Sequence, residues 1–135
     1  MEHEVQKYTV TINGREASVT VKGETIELDN GSFRENHSLV GLLNMARRGA
    51  LPQWAGQIGA ITQRIEDIFR REREQGLDPH VSYALTDGEL FRFDLRGGTG
   101  NSANIADLKK QLAQSGRLPR AFDTPRAREL IAAAA

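Results

Sequence analysis

Leu51, Trp54, Ile58, Ile61, Ile65 and Ile68 recur at alternating intervals of three and four residues, a spacing that puts all of them on one stripe of a single helix. Pro52 suits the first turn of that helix, where no amide donor is needed, and Gly76 suits the left-handed position just past its end. The spacing therefore predicts one helix between them. Four members of the stripe are isoleucines, whose branched side chains lose rotamer freedom in a helix, so this helix must be held mainly by what its stripe packs against. A chain built around it has to supply an apolar surface elsewhere.

Two hairpins offer that surface. Tyr8, Val10 and Ile12 alternate with threonines, Asn13-Gly14 interrupts, and Ala17, Val19 and Val21 alternate with Ser18 and Thr20, the pattern of antiparallel strands joined by a two-residue turn. Pairing Ile12 with Arg15 sets Val10 opposite Ala17 and Tyr8 opposite Val19, which collects the apolar residues on one face. Thr25-Ile26-Glu27-Leu28 continues as a third strand, closed by Asp29-Asn30-Gly31, with a short fourth strand at Phe33. The second hairpin joins Val81, Tyr83 and Leu85 to Phe91, Phe93 and Leu95. A three-residue loop at Thr86-Asp87-Gly88 sets Tyr83 opposite Phe91 and Val81 opposite Phe93, keeping the aromatic residues together, and that register is the expectation.

The remaining helices carry their own punctuation. Ser38 caps a helix with Leu39, Leu42, Leu43 and Ala46 that ends at Gly49; Ser102 caps one with Ile105, Leu108 and Leu112 that ends at Gly116; Thr124-Pro125 opens a last one. The alanines at 132–135 add little packing and are expected to fray. The order β-β-β-α-α-β-β-α-α predicts a single α+β domain over residues 1–135, an antiparallel sheet with helices packed on one face.

Acidic and basic residues number 18 each, so no global field steers the chain to nucleic acid or an anionic membrane, and such a partner must be met by a local patch. Charge is nevertheless split: residues 1–35 hold seven acids against four bases, and residues 92–135 hold eight bases against four acids. The absence of cysteine removes disulfides, thiolate chemistry and iron–sulfur clusters. The first residues are polar, without a signal-peptide core, and no run approaches the roughly 18 apolar residues of a membrane span. The expectation is a soluble, cytoplasmic protein with no membrane partner.

The segment Arg96-Gly97-Gly98-Thr99-Gly100-Asn101-Ser102 is the candidate anion site. A strand running into glycines and then a helix start can present bare amides to a phosphate, with Arg92 and Arg96 beside them, although the spacing matches neither a Walker loop nor a dinucleotide fingerprint. Arginines form the candidate partner-binding set: Arg47 and Arg48 end one helix, Arg70, Arg71 and Arg73 end the next, and Arg117, Arg120, Arg126 and Arg128 lie near the carboxyl terminus. His3, His37 and His80 lack the spacing of a metal site, and no nucleophile-elbow pattern surrounds Ser38, Ser82 or Ser102, so no metal, cofactor or catalytic residue is expected.

Val10-Thr11-Ile12-Asn13-Gly14-Arg15-Glu16 resembles the opening hairpin of β-grasp and plant-type ferredoxin domains. The resemblance covers that hairpin alone. The leading expectation is a non-enzymatic interaction or regulatory module, an inhibitor or adaptor, that docks on a protein partner as a monomer or homodimer. The alternatives are a small phosphate- or nucleotide-handling domain using residues 97–102 and a nucleic-acid binder using the carboxy-terminal arginines.

Overall fold

Strict alternation governs the first strands. β1 (Val5–Ile12), β2 (Arg15–Lys22), β3 (Thr25–Asp29) and β4 (Arg34–Ser38) form an antiparallel meander in sequential order. Asn13 and Gly14 both take positive φ, as a primed two-residue turn demands, and the expected register holds: Ile12 faces Arg15, Val10 faces Ala17 and Tyr8 faces Val19. One face thus gathers Val10, Ala17, Val19, Ile26 and Leu28, all buried, while the other presents Thr9, Glu16, Ser18, Lys22 and Glu27. The fourth strand begins at Arg34, one residue beyond the Phe33 expected from the sequence.

The computed structural model describes residues 4–134, so His3 of the metal reading and Ala135 of the tail lie outside the described residues. The chain divides into two compact units that meet between Ile68 and Phe69.

In the first unit, Ser38 caps α1 (Leu39–Arg47) by accepting from the Gly41 amide, and Gly49, with φ of 70°, lies just past its end. The single striped helix expected over the next segment is interrupted. A short α2 (Gln53–Gly56) precedes α3 (Gly59–Glu74), with Gln57 and Ile58 between them. Gly56 and Gly59 flank the break, where each weakens a helix by about 1 kcal/mol relative to alanine, and Gln57 gains two hydrogen bonds there. The stripe survives the break: Trp54, Ile58, Ile61 and Ile65 are buried. Trp54 packs its ring against His37 on the apolar face of the sheet, with centroids 5.1 Å apart. The pattern fades at Ile68, which is half-buried; Phe69, the first residue of the second unit, is buried and meets the His80 ring edge-on at 5.4 Å.

Gln57 protects a sheet edge. Its side-chain amide donates to the Thr11 carbonyl and accepts from the Thr11 amide, both at 2.9 Å, taking the pair of backbone groups that Thr11 would offer a neighbouring strand. Gln57→Ala should cost about 1 kcal/mol in urea unfolding and increase concentration-dependent association seen by light scattering. Unchanged stability and association would show that the pairing contributes nothing.

The second unit contains β5 (Val81–Thr86), β6 (Glu89–Asp94) and β7 (Thr99–Asn104) in an antiparallel sheet of that order, then α4 (Ile105–Ser115), a single 3-10 turn at Arg120–Phe122, and α5 (Pro125–Ala133). The β5–β6 loop differs from the expectation. Asp87 and Gly88 both have positive φ and form a two-residue turn, so Tyr83 faces Arg92 and Ala84 faces Phe91. Asp-Gly suits this turn so well that local backbone preference overrides the gain from gathering the aromatics. Phe91 and Phe93 instead stack on the opposite face, centroids 6.2 Å apart, with Phe93 lying across Gly100, where an added Cβ would come within 3.3 Å of the ring. Leu90 points the other way and joins a core with Ile105, Leu108, Leu118, Phe122, Ala127 and Ile131. The fold is thus α+β with two antiparallel sheets, of four and three strands.

A candidate anion site lined by arginines

The glycine-rich segment is not a strand-to-helix loop. Leu95–Gly98 make a hairpin turn, closed by the Gly98 amide donating to the Asp94 carbonyl at 2.9 Å, and Thr99–Asn104 then pair with β6 as β7. Ser102 is therefore a strand residue, and Asn104 caps α4 by accepting from the Asp107 amide. Thr99-Gly100-Asn101-Ser102 has little strand propensity, so its pairing is imposed by the neighbouring β6 rather than by its own side chains. The amides at the start of that segment already meet an anion. Asp94 accepts from the Arg96 amide at 3.0 Å, and its carboxyl is held below the ordinary carboxylate range, chiefly by that bond, then by the Gly97 amide and the positive charges of Arg96 and Arg92, against the cost of desolvation.

The two-residue turn has a second consequence. It places Val81, Tyr83, Leu85, Leu90, Arg92 and Asp94 on one face of the sheet, so Arg92 projects on the side of the helices while Phe91 and Phe93 do not. There it lines a pocket of about 540 Å³ together with Arg73, Arg96 and Arg126. Leu77, Pro79, Val81, Tyr83 and Pro125 supply apolar walls, and Asp78 is the only carboxylate among the lining residues.

Each wall has a local cause. Gly76, with φ of 78°, ends α3 as the Leu77 amide reaches back to the Glu72 carbonyl at 2.9 Å and its own amide to Arg73 at 3.0 Å, a Schellman closure. A Cβ on Gly76 would come within 3.1 Å of Pro125, so glycine there serves both the turn and the close approach of α5. Thr124 caps α5 through the Ala127 amide and shares a 2.8 Å hydrogen bond with the Tyr83 hydroxyl, tying the helix start to β5. The positive end of the α5 dipole therefore opens onto the same space.

The four guanidinium groups differ in how they are held. Arg96 lies 3.8 Å from Asp94 and Arg126 lies 3.1 Å from Glu129, both exposed pairs worth little. Arg73 sits over the Phe69 ring, 6.0 Å from its centroid. Arg92 makes no ion pair, and its Nε is buried without a hydrogen-bond partner. No other buried side-chain nitrogen or oxygen among the described residues is left so.

Of the arginines singled out in the sequence, Arg73, Arg96 and Arg126 come together here, whereas Arg47 and Arg48 end α1 in the first unit. Arg70 lies 4.0 Å from Glu74, and Arg71 is exposed on α3. Arg128 is a structural clamp, bonded to Asp123 at 2.7 Å and to the Gly116 carbonyl at 3.2 Å, which leaves Arg117 and Arg120 as the exposed remainder of the carboxy-terminal group. Arg92 was expected beside the glycine segment, whereas Tyr83 and Asp78 were absent from the site expected from the sequence. The signal that would have found Tyr83 is the Asp87-Gly88 turn, which sets it opposite Arg92.

Among the described residues no group of three or more histidines and carboxylates comes together, and no helix is long and apolar enough to cross a membrane. The chain matches no family model, no curated protein and no solved structure.

Proposed function

We propose that the protein is an interaction module whose second unit grips an anionic group, such as a phosphate monoester, in the arginine-lined pocket. The observation that supports this most is Arg92. A guanidinium whose Nε is buried without a partner, beside three like charges, is held at a cost that a bound anion would offset through charge-assisted hydrogen bonds. The volume of about 540 Å³ lies in the range of small-ligand sites. Apolar walls around a charged centre suit an anion carried on a larger apolar body.

Phenyl phosphate is the direct probe. Because it would bind the folded form only, about ten times its Kd should add about 1.4 kcal/mol of stability, read as a melting point higher by several degrees. The gain should shrink with added salt. If phenyl phosphate and inorganic phosphate leave both the melting point and the Arg92 Nε–H resonance unmoved at low salt, the proposal is wrong.

A further inference from the structure

We infer that the anionic group reaches this pocket on an extended peptide that adds as a strand to the open edge of β5. The inference rests on the pocket reading above and names the kind of partner.

β5 is an edge strand of its sheet. The Leu95 amide donates to the His80 carbonyl at 2.9 Å, and the alternation of an antiparallel ladder then turns Ser82 and Ala84 toward β6 and Tyr83 and Leu85 away from it. The amides and carbonyls of Tyr83 and Leu85 thus form a row that a guest strand can pair with. Natural edges are usually guarded. In this chain Gln57 takes the Thr11 groups of β1, β4 carries Arg34, Glu35 and His37, and β7, the other edge of the second sheet, is uncharged but its Thr-Gly-Asn-Ser run has little strand propensity. β5 reads Val-Ser-Tyr-Ala-Leu-Thr, with no charge and no proline, and Ser82, Ala84, Leu85 and Thr86 are exposed.

The edge also runs between two hollows. Val81 and Tyr83 line the arginine pocket at one end. Leu85 and Thr86 line a second hollow of about 500 Å³ at the other, where Ile105, Ala106 and Ala134 supply apolar surface and Asp87, Asn104 and Lys109 a polar rim. The Lys109 ammonium is turned onto the Ala134 carbonyl, which leaves Leu85, Ile105 and Ala106 for a guest's apolar side chain. Val81, Tyr83 and Leu85 share a face, so both hollows lie on the same side of the strand. Side chains of a guest strand return to one face every second residue, about 6.7 Å apart. An antiparallel guest would therefore place an apolar side chain against Leu85 and, two or four residues later, an anionic side chain among the arginines. Four positive groups against a single lining carboxylate make a phosphorylated residue the best complement.

The test uses the full chain and synthetic peptides with leucine four residues before phosphoserine. Such a peptide should bind at least tenfold more tightly than phenyl phosphate, and the Tyr83 and Leu85 amides should become protected from hydrogen exchange. Moving phosphoserine by a single residue puts it on the wrong face and should remove the gain, as should N-methylation of the peptide amides that pair with the edge. If phenyl phosphate binds but all peptides bind equally to it, the edge inference is overturned while the pocket reading stands. If neither phosphate nor peptide binds, both fall.

Discussion

Arg92→Met is expected to weaken phosphate-monoester binding roughly 10- to 100-fold, the loss of one or two hydrogen bonds from a charged donor to a charged acceptor. The same substitution should leave the unliganded protein at least as stable as before. Methionine keeps the unbranched bulk of the side chain and removes a buried Nε that has no partner, which offsets the lost attraction between the guanidinium and the partly exposed Asp94 carboxylate. Opposite movement of affinity and stability is the mark of a binding group, since a purely structural arginine would lose stability on truncation. Calorimetric titration with phenyl phosphate and thermal unfolding without it decide the matter. Unchanged affinity would remove Arg92 from the site, and a drop of several degrees in the melting point would show that its role is structural. Arg117→Ala, at an exposed position outside the pocket, is the matching control and should leave affinity unchanged.

Leu90→Ala should cost about 2–5 kcal/mol, a large part of the stability of an ordinary domain at about 5–15 kcal/mol. Leu90 is fully buried on the central strand of the second sheet, in one cluster with Ile105, Leu108, Phe122 and Ile131. Neighbouring strands and helices surround it, so little collapse can refill the space of the lost methyl groups. Urea unfolding followed by far-ultraviolet circular dichroism measures the loss in a chain whose one tryptophan, Trp54, reports on the first unit alone. A loss below about 1 kcal/mol would mean that this cluster does not hold the second unit.

Legibility in the sequence followed the range of the interactions involved. The first meander was readable to the residue because Asn13-Gly14 fixes its turn and alternation fixes its face, both matters of a few neighbours. Ser38, Gly49, Gly76 and Gly116 marked helix ends for the same reason. The stripe marked a buried face correctly at Trp54, Ile58, Ile61 and Ile65. The interruption at Gln57 escaped it, because that break is stabilised by Thr11, 46 residues away in sequence. β7 escaped it too, since a run such as Thr-Gly-Asn-Ser becomes a strand only when β6 offers it a ladder.

The candidate site shows the same division more sharply. Composition and order alone determined an α+β chain without cysteine, with apolar faces for its sheets and an excess of basic over acidic residues in its last third. They also singled out Arg73, Arg96 and Arg126 as separate, helix-ending or loop-borne cations. Only the tertiary structure decided that these three converge with Arg92 on one pocket, that the glycine-loop amides are already engaged by Asp94, and that Arg128 is consumed as a clamp. The physical reason is that secondary structure is set by backbone preferences and periodicity over a few residues. A binding site is set by which charged groups are brought together from distant parts of the chain and which of them are left without a partner.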